Sequence, residues 1–267
     1  QVSVSPVSTC AIDYEGKLYC WGYWLGNALP KLMPAWTHLR LRTIANANGS
    51  ICGITYDNVT YCAGRNDLGQ LANGTANNSP GPVRIAQGQI PSDVHLTTID
   101  AAEYTLCGLT KIVPESLHSS ALTSEGKAYC WGNNVHGVLG TGNNTSSLTP
   151  KAIQNGQIPA HSRIVDIALG DSQTCVITTD NNAYCFGYNN GELGTGVADH
   201  TNLPTRVAQG QMIAGTYFTS IDSNVYHSCG ISSDARVYCW GNVTLPGSLL
   251  GATNNSTLVP VRSIMNN

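Results

Sequence analysis

Charge is what this sequence has least of. Only 11% of its 267 residues are Asp, Glu, Lys or Arg, well under half of the roughly 25% usual in soluble domains. The folded surface must therefore be polar but mostly uncharged, built from Gly, Ser, Thr and Asn. The formal net charge is −3 and no cluster of Lys and Arg occurs, so the electrostatic footprint of a nucleic-acid or anionic-lipid partner is missing. No apolar run approaches the length of a bilayer span, and membrane insertion is not expected. No secretory signal is visible, but the chain opens "QVSVSP" without Met, the form that a processed mature protein takes.

Catalytic signatures are also missing. There is no G-x-S-x-G elbow, H-E-x-x-H, P-loop or dinucleotide fingerprint. The histidines are scattered without metal-ligand spacing, and none of the 10 cysteines forms a C-x-x-C pair, which argues against zinc. The sequence gives no reason to expect an enzyme, a metal or a cofactor.

What is present is repetition. Residues 10–22 read "CAIDYEGKLYCWG", 52–64 "CGITYDNVTYCAG", 120–132 "SALTSEGKAYCWG", 175–187 "CVITTDNNAYCFG" and 229–241 "CGISSDARVYCWG". Each is an apolar stretch, a turn and a Tyr-Cys stretch, which predicts two strands joined by a tight turn. With Cys10 opposite Cys20, the loop residues are Tyr14, Glu15 and Gly16. The third loop place elsewhere holds Asn58, Gly126, Asn181 and Ala235. A three-residue hairpin loop wants a left-handed residue there, which Gly and Asn tolerate and Ala235 does not.

Facing residues on antiparallel strands come close enough for a disulfide. The expected pairs are Cys10 with Cys20, Cys52 with Cys62, Cys175 with Cys185 and Cys229 with Cys239. Cys107 and Cys130 remain for each other, separated by the insertion "TKIVPESLHSS". Each closed loop should contribute about 2 to 3 kcal/mol, and five such staples require an oxidising compartment.

After the hairpins come Gly-rich segments such as "GRNDLGQLANGT" and "GYNNGELGTGVA", then proline-led strands such as "PVRIAQGQIP" and "PTRVAQGQM". A further apolar strand, such as "HLTTIDA" or "RIVDIAL", precedes the next hairpin. Four short strands with Gly/Asn loops make one blade of a β-propeller. The first unit is irregular, with "YWLGNALPKLMPAWTHLRLRTI" where its Gly-rich loop should be.

The order Trp-Gly-x-Asn, Gly-x-Leu-Gly-x-Gly, Pro-x-x-Val resembles the repeat of the RCC1 superfamily. The hairpin cysteines are similar to those of secreted bacterial RCC1-like proteins and of Crinkly4-type receptor ectodomains. The resemblance implies an all-β propeller over residues 1–267 as a single domain, and the five cysteine hairpins count five blades of four antiparallel strands. The chain starts with a pre-hairpin strand and stops after a proline-led strand, so one blade is expected to draw strands from both termini and close the array.

The expected function is a secreted, extracellular or cell-surface module without enzymatic activity. It would bind a protein or glycan partner, with self-assembly as a further option. A carbohydrate-binding lectin is the alternative. Exchange on a GTPase, which RCC1 performs in the reducing nucleus, fits stapled hairpins least. Trp24 and Trp36 lie only in the irregular first unit and are the aromatic candidates for a contact surface. N-x-Ser/Thr sites stand at Asn48, Asn58, Asn73, Asn77, Asn143, Asn144, Asn242, Asn254 and Asn255. By strand alternation all but Asn58 fall on the Trp-Gly-loop face, which leaves the hairpin face for binding.

Overall fold

The computed structural model describes residues 1–23, 26–110, 126–242 and 257–263. They form two compact units, the first of residues 1–133 and 146–152, the second of residues 134–145 and 153–267.

Three antiparallel sheets make the first unit. Sheet one is β1 (Val2–Val4), β2 (Thr9–Ile12), β3 (Leu18–Gly22) and β4 (Asn27–Leu32). Sheet two is β5 (Leu41–Asn46), β6 (Ser50–Thr55), β7 (Thr60–Gly64) and β8 (Ser79–Arg84). Sheet three is β9 (Leu96–Ala101), β10 (Thr105–Thr110), β11 (Ala128–Gly132) and β12 (Ser147–Ala152). The second unit holds β13 (Ile164–Leu169), β14 (Gln173–Thr178), β15 (Ala183–Gly187) and β16 (Thr201–Arg206), followed by β17 (Phe218–Ser223), β18 (His227–Ser232), β19 (Val237–Gly241) and β20 (Thr257–Arg262).

In every sheet the two cysteines face each other across the second and third strands, with Cα atoms 4.0 to 4.1 Å apart. All five expected pairs are formed and no cysteine is free. The hairpin register puts the third loop residue in the left-handed region each time, with φ of 80° at Gly16, 64° at Asn58, 32° at Gly126 and 62° at both Asn181 and Ala235. Ala235 thus accepts a conformation that its Cβ opposes. Ala235→Gly is expected to raise stability by about 0.5 to 1 kcal/mol, the relief of Cβ strain less the chain entropy of Gly. Urea unfolding checks this, and a loss of stability would contradict it.

One expectation is corrected by the strand order. Among the described residues no sheet draws on both termini: β1 pairs with β2, and β20 pairs with β19. The cause is the phase of the repeat. The strand before each hairpin pairs with that hairpin, as Ala45 faces Cys52 and Asp100 faces Cys107. Each sheet is therefore built from one stretch of the chain.

The Gly-rich loops are organised from within by an asparagine that is fully buried in three of them, Asn66, Asn134 and Asn189. The Asn66 amide donates to the carbonyls of Thr75 at 2.8 Å and Asn77 at 3.0 Å, and its Oδ1 accepts the Leu71 N–H at 2.8 Å. Asn134 and Asn189 repeat the pattern on their own loops. These loops carry the apolar plugs Leu71, Leu139 and Leu193, all fully buried. Leu71 shares a core with Trp131, and Leu193 with Trp240.

A second device is a glutamine on a connecting loop that clasps a later strand of its own unit. Gln89, Gln157 and Gln211 donate their backbone N–H to the carbonyls of Pro150, Pro204 and Pro260. Their side-chain Oε1 atoms accept the N–H of Ala152, Arg206 and Arg262 at 2.8, 2.9 and 3.1 Å. The residue before each is glycine because the approach is so close. At Gly156, where φ is 52°, a Cβ would stand 2.4 Å from the Pro204 oxygen.

Candidate functional site

The hairpin turn of β14 and β15 opens a groove in the second unit, with a volume of about 640 Å³. Its walls are that turn, the end of β16, the loop through Gln209, and the residues leading into β17. Ala183, Val207, Met212 and Phe218 are buried and make an apolar floor. Polar groups converge at the mouth. Asp180 accepts hydrogen bonds from the Thr178 hydroxyl, from Asn182 Nδ2 at 2.9 Å and from the Tyr184 hydroxyl at 3.3 Å. Arg206 Nη2 donates to Asn182 Oδ1 at 2.5 Å.

Burial of the Asp180 carboxyl opposes its ionisation, but the donors from Thr178, Asn182 and Tyr184 outweigh it and hold the carboxyl below its ordinary range. Because the folded-state value is depressed, the contribution of this carboxylate to the hairpin is present above the unfolded-state value. It is lost as pH falls through the folded one. Opposite the turn, Tyr217 is anchored to the next hairpin. Its N–H donates to Ser233 Oγ at 3.4 Å and its carbonyl accepts the Ser233 N–H at 2.8 Å. The Tyr217 ring remains 40% exposed.

The same place in the first unit, at the turn of β6 and β7, is almost closed, at about 40 Å³. Side-chain size accounts for the difference. Thr60, Ile85 and Asp93 of the first unit correspond by repeat to Ala183, Val207 and Gly215 of the second, and Val59 corresponds to the polar Asn182. The sequence carries this signal only as smaller residues at repeat positions.

The aromatic candidates are not part of this groove. Trp24 lies outside the described residues. Trp36 is corrected from contact residue to core: it is 1% exposed, in one cluster with Cys10, Cys20, Leu41, Ile51 and Ala63. A short 3-10 turn, Pro34–Trp36, delivers the indole where the loops of Asn66, Asn134 and Asn189 use a leucine plug. Ala63 stands where the later sheets have Trp131, Phe186 or Trp240, so a large plug meets a small neighbour and the total volume is conserved.

Of the glycosylation candidates, Asn58, Asn77, Asn143 and Asn144 are exposed, and Asn48, Asn73 and Asn242 are half-buried. Asn254 and Asn255 lie outside the described residues. The amide nitrogen of Asn48, the atom to which a glycan would attach, donates to Glu103 Oε1 at 2.9 Å. Within sheet two, Asn48, Asn73 and Asn77 stand in loops at one end and Asn58 at the hairpin end. Two loop acids also have local partners: Asp67 pairs with Arg65, and Glu192 accepts the Asn190 N–H. Among the described residues, no group of three or more His, Cys, Asp or Glu is arranged to hold a metal.

Comparison with known proteins fits this architecture. Residues 125–177, and separately 164–191 with 218–242, match the Regulator of chromosome condensation (RCC1) repeat. The chain is 26% identical over 246 residues to human E3 ubiquitin-protein ligase HERC2, covering 86% of this chain and 5% of HERC2. It is 26% identical over 247 residues to the ultraviolet-B receptor UVR8 of Arabidopsis thaliana, covering 86% of this chain and 51% of UVR8. Among solved structures, Prp20p from Saccharomyces cerevisiae superposes with a TM-score of 0.77 at 19% identity, over 98% of this chain and 62% of Prp20p. The Crinkly ectodomain of the Arabidopsis thaliana receptor kinase ACR4 superposes with a TM-score of 0.56 at 18% identity, over 92% of this chain and 70% of that one.

Proposed function

We propose that this chain, which carries matches to the RCC1 repeat and has the fold of RCC1-type propellers, is a non-enzymatic binding module of the cell exterior, secreted or held at a cell surface. The observation that carries this reading is the full set of five cross-strand disulfides with no free cysteine. Such bonds persist in oxidising compartments and are rare where thiols are kept reduced. The likeness to a receptor ectodomain points the same way. Guanine-nucleotide exchange in a reducing nucleus would leave this set of bonds without a role. A fold of this kind hosts many functions, so the partner must be argued from the surface, and the hairpin end of the second unit offers the concave, polar-rimmed site.

Within each sheet, glycans are expected at the end opposite its own hairpin turn. In a source that glycosylates asparagine, Asn77 and one of the adjacent Asn143 and Asn144 are expected to be occupied, and Asn48 is expected to stay bare because its amide is engaged with Glu103. Glycopeptide mapping checks the pattern, and a glycan on Asn48 would contradict it.

Fractionation of the native source tests the main reading. The protein is expected outside the cell or on its envelope, with no thiol available to alkylation before reduction. Recovery from the cytosol or nucleus with free cysteines would sink it.

A further inference from the structure

We propose that the groove at the turn of β14 and β15 binds a neutral carbohydrate residue, with sugar hydroxyls held by Asp180, Asn182 and Arg206 and an apolar C–H face laid against Tyr217. This rests on the reading of the chain as a binding module and names its ligand class.

Charge sets the first limit on the ligand. The mouth presents one carboxylate and one guanidinium, so a strongly anionic ligand meets Asp180 and a strongly cationic one meets Arg206. A neutral ligand meets neither repulsion. Hydrogen-bond capacity sets the second limit: Asp180 only accepts, Arg206 only donates, and Asn182 does both. Only one Arg206 nitrogen is directed to Asn182, and the guanidinium carries five N–H donors. A ligand dense in hydroxyls, each able to donate and accept, can add to these bonds, whereas an apolar ligand would desolvate the remaining Arg206 donors without pairing them.

Shape supplies the third argument. The floor of Ala183, Val207, Met212 and Phe218 is apolar, and Tyr217 adds an amphipathic ring at the rim. Sugar rings have the matching character, with polar edges and C–H faces. The volume of about 640 Å³ lies within the range usual for small-molecule sites. The groove is also not an automatic product of the repeat, because its counterpart in the first unit is only about 40 Å³. The polar residue Asn182 and the small residues Ala183, Val207 and Gly215 occur together where the site is open.

The test uses the whole oxidised chain and saturation-transfer NMR with mannose, galactose, N-acetylglucosamine and their short oligomers as probes. At least one neutral sugar is expected to bind saturably. Arg206→Ala should weaken it by about tenfold, the loss of one charged hydrogen bond. The pair Ala183→Thr with Val207→Ile, which installs the residues of the closed site, should abolish binding. Its thermal unfolding should stay near wild type, because the same residues are accommodated at the first-unit turn. Binding indifferent to both variants would overturn the proposal, as would preference for an acidic sugar or a peptide. A folded wild-type protein that ignores every sugar yet remains on its envelope fraction would also overturn it, and would leave the binding-module reading intact.

Discussion

Reduction of the five disulfides is expected to unfold the protein at neutral pH and room temperature, with loss of native strand signal and exposure of all 10 cysteines. The four short hairpins join residues 10 apart and the third joins residues 23 apart. By loop-closure entropy each bond contributes about 3 kcal/mol. Together they match or exceed the roughly 5 to 15 kcal/mol of net stability typical of folded domains. The bonds also fill space: every bonded cysteine except Cys229 is buried, so reduction leaves thiols packed between sheets. Circular dichroism under a titrated reductant, with thiol counting, checks the outcome. A fully reduced chain that keeps its strand signal would show that packing alone holds the sheets. The single double variant Cys175→Ala with Cys185→Ala is expected to cost about 3 kcal/mol and leave a folded protein.

Asn66→Ala is the substitution expected to cost most among the polar positions, about 3 to 5 kcal/mol. It leaves the carbonyls of Thr75 and Asn77 and the buried N–H of Leu71 without their partner; a buried unpaired group costs about 1 to 3 kcal/mol, and the other two lost hydrogen bonds add about 1 kcal/mol each. Leu71, which the loop delivers to the core, loses its placement as well. Asn66→Asp separates hydrogen bonding from volume. It keeps the acceptor for Leu71 but loses both donors and buries a charge, so it should be no better than Ala. Chemical denaturation gives the size of the effect. Hydrogen exchange should localise it to residues 66–78, with the hairpin of β6 and β7 still protected. A loss below about 1 kcal/mol would mean that water replaces the asparagine.

The four short hairpins were readable from the sequence because a disulfide between facing strands imposes a fixed spacing, and the left-handed third loop residue confirms the register; of the third, read over 120–132, residues 120–125 lie outside the described residues. Even Ala235, the residue that breaks the local rule, takes the conformation of its repeat, since four other hairpins and the cysteine pair define the turn. The boundary between sheets was misread for a physical reason. A pre-hairpin strand such as "LTTIDA" carries no cysteine and no glycine to say which hairpin it joins, and only pairing decides. Trp36 was misread because its burial depends on a small residue far along the chain. Ala63, the odd member of the Trp-Gly stretches, was the available clue. The groove escaped the sequence because it is defined by volume removed at Ala183, Val207 and Gly215, and reading it requires knowing which side chains point at one another.

The glutamine clasps give the repeats a direction in time as well as in space. Each glutamine reaches forward to a strand 63, 49 or 51 residues later in the chain. A ribosome adding about 5 to 20 residues per second therefore leaves each hook without its target for roughly 2 to 12 seconds. During that interval the hairpin behind it has both cysteines and can oxidise, but the outer edge of its sheet still lacks the strand that will cover the hook. Maturation proceeds as a relay, in which each of the three clasps closes only when the strand it reaches has been made. A truncation is consequently felt one repeat upstream of the cut.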